Sequence, residues 1–450
     1  MKILLTVHQF LPDYASGTEI LALHTALEFK ARGHEVQVMT ALPAASGMPD
    51  QERFDRYEYQ GIPVTRFKHA HAPMGSQNNL TEQEYNNLLV AGQFSDLIDA
   101  FKPDVVHFFH LMRLTASIVD VCLARGIPTV LTPTDFWLVC PMCQLRLPDG
   151  SACAGPDRWA ANCVRHLATL KKPGLATNIL NRLPDTVVSG LVRAAGVAPF
   201  AMSESARMVS ALSRRGEFLR GRMQRIGKVL APTRMMQATL LAQGLPPDRI
   251  RYCAFGIRLP QKLPGKSPKH GPLRIGLIGV GEHKGAHVLI QALRRLPDCD
   301  LQIRIYGRQA DFPTYFAQLR ELADSRVAFC GTFPNEEIGA VLAELDILAV
   351  PSTWAENSPL VVYSAQAAGR PVLASDVAGI AELITHGDNG WLFPAGDDRR
   401  LAEILAELAN DREQIARLSG NARMPKSISG YADEVLAVYA ELGADTAQSA

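Results

Sequence analysis

Val350-Pro351-Ser352-Thr353-Trp354-Ala355-Glu356-Asn357-Ser358-Pro359-Leu360-Val361-Val362 is the stretch that decides how this 450-residue chain is read. The apolar run Ile347 to Val350 has the length of a buried strand, and the residues after Ser358 open a helix. Ser358 is a good N-cap, and Pro359 suits the first helical position because an N–H there would have no partner anyway. The amides of Leu360 and Val361 are then expected to point outward at the positive end of the helix dipole, a ready site for a diphosphate. Glu356 falls on the turn at the carboxyl end of the strand, where α/β sheets place their ligands. A capped helix after a strand is also ordinary architecture, so this segment alone leaves phosphate binding and a plain turn both open.

Working outward, the run Arg274 to Ile278 leads into Gly279-Val280-Gly281-Glu282-His283-Lys284-Gly285 and another helix. Glycines let backbone approach phosphate closely, and Lys284 offers a flexible ammonium to a leaving diphosphate. No third glycine falls at the dinucleotide spacing, which disfavours a NAD site and leaves a plain strand-to-helix turn as the other reading. Further strands are expected at Leu301 to Tyr306, Val327 to Cys330 and Pro371 to Ala374. In the first half the runs Ile3 to Val7, Val36 to Thr40, Val105 to His107 and Thr129 to Thr132 alternate with longer amphipathic segments. Such alternation predicts βαβ units and parallel sheets. The Pro/Lys/Gly-rich stretch Leu259 to Pro272 marks a boundary near residue 260. The expected organisation is therefore 1–258, containing a Cys-rich loop 137–165 and a helical insertion 166–228, then 259–430, then a C-terminal helix and tail 431–450 that packs back on the first domain.

Bulk composition narrows the class. With 47% hydrophobic and 20% charged residues and a net charge of +1, the chain lacks the basic excess of a nucleic-acid binder. The opening Met1-Lys2-Ile3-Leu4-Leu5-Thr6-Val7-His8 is too brief for a signal-peptide core. Thr186 to Met202 is interrupted by Arg193 and falls short of the roughly 20 apolar residues of a spanning helix. A cytoplasmic protein is expected. In the first half, Leu11-Pro12-Asp13-Tyr14-Ala15-Ser16-Gly17-Thr18-Glu19 follows the opening strand as a small-residue turn, with Gly17 either facing the ligand or serving turn geometry.

Together these motifs resemble the family four glycosyltransferases, also called glycosyl transferases group 1. The resemblance runs from Ser16-Gly17-Thr18-Glu19 through Phe29-Lys30-Ala31-Arg32-Gly33-His34-Glu35-Val36 to Glu382-Leu383-Ile384-Thr385-His386-Gly387-Asp388-Asn389-Gly390. It implies an α/β fold of two facing Rossmann-like domains with a cleft between them, named GT-B. It also implies retaining, hexosyl-type transfer from a nucleotide-sugar donor, with no cofactor or divalent metal required for catalysis. Gly17 and Lys284 would then lie near the donor diphosphate, Glu356 near the donor sugar, and Asn357, Ser358, Pro359, Leu360 and Val361 around phosphate. Two departures stand out. Ser364 occupies the place of a second family Glu that grips the ribose, and a hydroxyl cannot accept two hydrogen bonds as a carboxylate does. The loop before Lys284 lacks the family's usual Arg, a charge that Arg308 could supply.

On the acceptor side, Val130-Leu131-Thr132-Pro133-Thr134-Asp135-Phe136-Trp137 ends a strand in Thr134-Asp135, where relatives carry His-Asp. Asp135 could bond sugar hydroxyls or be a turn residue, and Thr134 is no acid or base near neutral pH. His110 follows the preceding strand and could line the site or be structural. Lacking an obvious carboxylate nucleophile, the chemistry suggested is front-side attack, with orientation and charge stabilisation carrying the rate.

Four cysteines, Cys140, Cys143, Cys153 and Cys163, cluster after Trp137; they suit structural zinc, free thiols or, less readily in a reducing compartment, disulfides. Arg214, Arg215, Arg220, Arg222, Arg225 and Lys228 face one nearby acid, Glu217, which fits a solvated helix face or contact with an anionic membrane or a lipid-phosphate acceptor. The functional expectation is sugar transfer to a glycan or lipid-linked acceptor in cell-surface polysaccharide or glycoconjugate synthesis, in the cytoplasm or peripherally on the inner face of the membrane. The alternatives are a weakened, glycosyltransferase-like scaffold subunit and a sugar-nucleotide epimerase on the same fold.

Overall fold

The computed structural model describes residues 1–171, 174–195, 197, 203–259 and 271–449. Most of the linker around residue 260 and part of the stretch 186–202 lie outside them. The chain divides into two compact units, Met1–Ala254 with Tyr431–Ala450, and Phe255–Gly430.

The first unit is an eight-stranded sheet of β1 (Lys2–Thr6), β2 (Glu35–Pro43), β3 (Phe54–Tyr59), β4 (Ile62–His69), β5 (Val105–Phe108), β6 (Thr129–Leu131), β7 (Lys228–Ala231) and β8 (Ile250–Tyr252). The order is β3-β4-β2-β1-β5-β6-β7-β8. Only β3 runs antiparallel, in a hairpin with β4 closed by Gln60 and Gly61, both at positive φ as a two-residue turn requires. Ile3, Leu4 and Leu5 of β1 are fully buried, because a parallel strand at the middle of a sheet is covered on both faces and reads as an unbroken apolar run.

The second unit is an all-parallel sheet of β9 (Leu273–Ile278), β10 (Leu301–Tyr306), β11 (Val327–Gly331), β12 (Ile347–Val350), β13 (Val372–Ser375) and β14 (Gly390–Phe393), in the order β11-β10-β9-β12-β13-β14. Counted from β9 this is 3-2-1-4-5-6, the dinucleotide-fold order, whose switch point lies between its first and fourth strands. Strand β12 shows how the sheet is covered. Ile347 and Ala349 pack in one hydrophobic cluster with the helix Ala286–Arg294, and Leu348 and Val350 in another with the helix Leu360–Ala367. Alternate side chains thus enter cores on opposite faces.

The C-terminal helix Ile428–Ser449 buries Tyr431, Ala432, Val435, Val438 and Tyr439, a stripe at helical spacing. Tyr439 Oη lies 2.6 Å from His107 Nδ1, His107 Nε2 is 2.8 Å from Thr132 Oγ1, and Thr132 Oγ1 is 3.3 Å from Tyr431 Oη. The helix is therefore joined to the ends of β5 and β6 by a buried polar chain in the first unit. Burial pushes His107 down to about 3, so its ring stays neutral.

The expected strands form within one to three residues of their sequence limits. The helical stretch before Lys228 resolves into Leu175–Arg182, Asp185–Ala195 and Glu204–Met223, while Lys228 itself begins β7. The sequence reading did not foresee β3, β4, β7, β8 and β14, most of them too short for periodicity to distinguish from turns.

Candidate functional site

At the switch point of the second unit, β9 and β12 lie side by side and deliver two loops to one place. The loop after β9 makes a turn of 3₁₀ helix at Glu282–Lys284, and Gly285 follows at φ +74°. A Cβ on Gly285 would stand 1.8 Å from the carbonyl oxygen of Pro351, so only glycine lets this loop touch the one after β12. Thr353 N donates to His283 O at 2.8 Å, tying the two loops further. The result is a half-buried ion pair, with Lys284 Nζ donating to the buried Glu356 Oε1 at 2.7 Å.

Ser352 Oγ at 2.6 Å and Trp354 Nε1 at 2.9 Å donate to the same oxygen. Burial alone would raise Glu356, but the charge of Lys284 and these three hydrogen bonds outweigh it and hold the carboxyl below its ordinary value. The ammonium also lies 5.3 Å from the centre of the Trp354 ring. A fixed carboxylate and a partly exposed ammonium thus share one corner. Arg308 stands exposed just past the end of β10, the other neighbour of β9.

The helix after Glu356 begins one residue later than the sequence suggested. Leu360–Ala367 has Pro359 as its N-cap with no side-chain cap bond, and Ser358 Oγ instead pairs with Tyr363 Oη at 2.8 Å. This corrects the expectation for Ser358, whose buried hydroxyl finds a closer partner in the tyrosine one turn on. The first backbone bond of the turn runs from Val362 N to Pro359 O, so the amides of Leu360 and Val361 precede it. Asn357 is buried in the same loop, and Gly379 packs where a Cβ would meet Glu356 O at 1.8 Å. Ser364 Oγ donates back to Leu360 O at 3.1 Å, which commits its proton to the helix.

In the first unit the corresponding strand ends gather another polar set. His110 Nδ1 accepts from Met112 N at 3.0 Å, which puts the ring proton on Nε2. That Nε2 lies 2.9 Å from Asp135 Oδ2, off the line of its N–H, while Asp135 Oδ1 accepts from Trp137 N at 2.8 Å. His110 and Asp135 are thereby brought together, and Asp135 also makes the turn that was its structural alternative. The His8 ring is 4.3 Å from that of His110, and His8 Nε2 is 3.6 Å from Glu19 Oε1.

Glu19, which the sequence does not single out, lies in this set. It is fully buried, neither carboxylate oxygen has a hydrogen-bond partner, and burial raises its carboxyl above its ordinary value. Burial, with the charge of the neighbouring Arg113 adding to it, holds His8 far below its usual value. The available signal was the acid itself, inside an otherwise small and polar motif. Gly17 is the first residue of the helix Gly17–Ala31, which corrects the reading of it as a turn glycine.

Of the alternatives for the four cysteines, the zinc site is corrected and the thiols are free. Cys140, Cys153 and Cys163 line one small cavity together with His166, but Cys143 sits at positive φ with its Sγ 3.8 Å from Met112 Sδ. Among the described residues no group of three or more His, Cys, Asp or Glu side chains is arranged to hold a metal ion. Cys143 is not among the residues lining the cavity that holds the other three thiols, so the four-thiolate set is not gathered there.

Two doubly wound units, the second carrying an ammonium and a carboxylate beside a helix opening, define a GT-B fold of the glycosyltransferase class. Solved structures agree on the fold: Anabaena HepE in complex with UDP and glucose superposes with a TM-score of 0.64 at 18% identity, covering 98% of this chain and 99% of that one. A sucrose-phosphate synthase from Thermosynechococcus elongatus gives 0.66 at 17% identity over 99% of each chain. Residues 272–411 match the family model of glycosyl transferases group 1, and residues 16–171 match that of the glycosyl transferase 4-like domain. The chain belongs to the group 1, family four, glycosyltransferases. It is 36% identical over 200 residues to the amylovoran biosynthesis glycosyltransferase AmsK of Erwinia amylovora, which is 42% of this chain and 48% of that protein. It is 29% identical over 198 residues to the putative colanic acid biosynthesis glycosyltransferase WcaL of Salmonella typhimurium, 41% and 48% of the two. The chain spans about half the length of the curated relatives it matches.

Proposed function

We propose that the protein is a retaining, hexosyl-type glycosyltransferase that moves a sugar from a nucleotide diphosphate donor to a glycan or lipid-linked acceptor in cell-surface polysaccharide or glycoconjugate synthesis. The observation that carries this reading is the Lys284–Glu356 pair at the switch point, set just before the helix-opening amides of Leu360 and Val361. An ammonium and helix-end amides suit the charge that builds on a departing diphosphate, and they need no reorganisation as the bond breaks. Glu356, held ionised, is an acceptor for donor sugar hydroxyls. The binding of UDP and glucose by HepE and the polysaccharide roles in the names of AmsK and WcaL support the same donor and pathway class.

In this reading the acceptor hydroxyl attacks the face from which the diphosphate departs, and the leaving phosphate takes its proton. The work of the protein is then to orient both sugars. Asp135 and His110 are the acceptor-side groups, and Gly17, Arg308, Asn357 and Ser364 accompany the donor. No metal or organic cofactor is assigned a step, since Lys284 and the amides already neutralise the leaving group. A lipid-linked acceptor places the protein peripherally at the inner face of the cytoplasmic membrane. Among the described residues no helix is long and apolar enough to cross a membrane.

The test is nucleotide diphosphate release, after thermal-shift screening of UDP- and GDP-sugars has found a stabilising donor. Lys284→Ala is expected to lower turnover by about 100-fold or more, in line with loss of one charge-stabilising group. Unchanged turnover would remove Lys284 from the reaction, and no release from any stabilising donor would favour a scaffold subunit.

A further inference from the structure

The helical insertion of the first unit exposes apolar side chains that a packed fold normally covers. Fourteen large hydrophobic residues are exposed among those described, and six of them, Leu170, Leu175, Ile179, Val187, Leu191 and Val197, fall between residues 170 and 197. Their spacing is regular. Leu175 and Ile179 are four apart on the helix Leu175–Arg182, and Val187 and Leu191 are four apart on Asp185–Ala195, so each pair forms one row on its helix. The neighbouring row of the second helix, Val188 and Val192, is buried with Ala161 and packed by Trp159, Val164, Leu180 and Val209. The outer row is left over once that small core is full; Leu175 is 79% and Ile179 54% exposed.

Charge identifies what such a surface would meet. Residues 157–225 hold twelve lysines and arginines (158, 165, 171, 172, 182, 193, 207, 214, 215, 220, 222 and 225) against four acids (157, 185, 204 and 217), a net of +8 in a chain whose total is +1. Some of these cations are engaged: Arg165 with Asp185, Arg222 and Arg225 with Asp120, and Arg214 with Glu82, while Arg215 is buried over Trp137. Arg182 remains exposed beside the outer apolar rows, and Arg193 is exposed with its guanidinium over the Trp159 ring. Apolar rows flanked by cations are the pattern of helices that lie in the interface of an anionic bilayer.

We propose that the outer rows of the helices Leu175–Arg182 and Asp185–Ala195 dock on the surface of a bilayer carrying anionic headgroups, with Leu175, Ile179, Val187 and Leu191 inserted among the acyl chains. This surface differs from the arginine-rich helix Glu204–Met223 that sequence alone singled out; that helix supplies attraction at a distance. The inference rests on the lipid-linked acceptor reading above and gives it a location.

Co-sedimentation with vesicles of phosphatidylcholine alone, and of phosphatidylcholine with about one third phosphatidylglycerol, tests it. The wild-type protein is expected to bind the anionic vesicles at least tenfold more tightly, and the double variant Ile179→Asp/Leu191→Asp is expected to lose that gain. Both substituted side chains face solvent, so thermal unfolding and donor-induced stabilisation should match wild type, which separates this outcome from failure of the transferase reading. Equal binding of variant and wild type, or no wild-type binding to anionic vesicles, overturns the proposal. So does a wild-type dimer that the double variant converts to monomer with vesicle binding unchanged, because the rows would then be covered by a second copy.

Discussion

At the scale of single residues, the second unit is organised by how closely two loops approach. Gly285 has neither the φ nor the space for a side chain, with Pro351 O at 1.8 Å from a would-be Cβ. Gly285→Ala should therefore push the loops apart, lower stability by roughly 2 kcal/mol or more, and separate Lys284 from Glu356. Thermal unfolding and donor-induced stabilisation measure the two effects; a variant equal to wild type in both would show that the contact is dispensable. Lys284 and Glu356 were each legible as candidates, because a lysine in a glycine loop and an acid before a helix are local patterns, but their pairing was not. Glu19 was not, since its distinction is burial without a hydrogen-bond partner, which depends on His8, His110 and their strands meeting around it. Ser358 misled for the same reason, its hydroxyl choosing Tyr363 over the cap position.

At the scale of elements, the C-terminal helix is held by a buried polar chain whose members must all be satisfied. His107 is ordinarily near 6.5 and is pushed down to about 3, so the folded state keeps it neutral while the unfolded state takes up a proton below 6.5. The sign follows: this contribution is fully present above pH 6.5 and is lost as pH falls, by about 2 kcal/mol at pH 5. Urea unfolding at pH 7.5 and pH 5 checks it, and His107→Phe should be less stable at pH 7.5 yet less sensitive to acid. An unchanged acid sensitivity in that variant would assign the effect to other groups, such as His8 or His69, whose folded values are also depressed by burial. The central strands were readable as apolar runs between turn residues. The hairpin of β3 and β4 and the short β7, β8 and β14 were not, because charged residues break up the apolar pattern of the hairpin, the other three have only three or four residues, and their pairing is a long-range choice.

At the scale of the whole molecule, the two units differ in how their chain is assembled. The second is one continuous segment, Phe255–Gly430, with its own sheet and two hydrophobic clusters. The first needs Tyr431 to the C-terminus as well as Met1–Ala254, since Tyr431 and Tyr439 are buried against β5 and β6 partners. A fragment of residues 255–430 is expected to unfold cooperatively on its own, whereas residues 1–254 without the C-terminal helix should be unstable, as circular dichroism melts would show. A cooperative, wild-type-like melt of the 1–254 fragment would contradict this. By itself the sequence determined the fold class, the family and the two candidate loops around Lys284 and Glu356, because apolar runs, glycines and helix-opening residues act over a few neighbours. Only the tertiary structure decided that Lys284 rests on Glu356, that Cys143 stays out of the cavity lined by the other three thiols, that Glu19 is buried without a hydrogen bond, and that two short helices keep apolar rows in solvent. Each of these depends on which distant segments fill the surrounding space, and no local pattern encodes that.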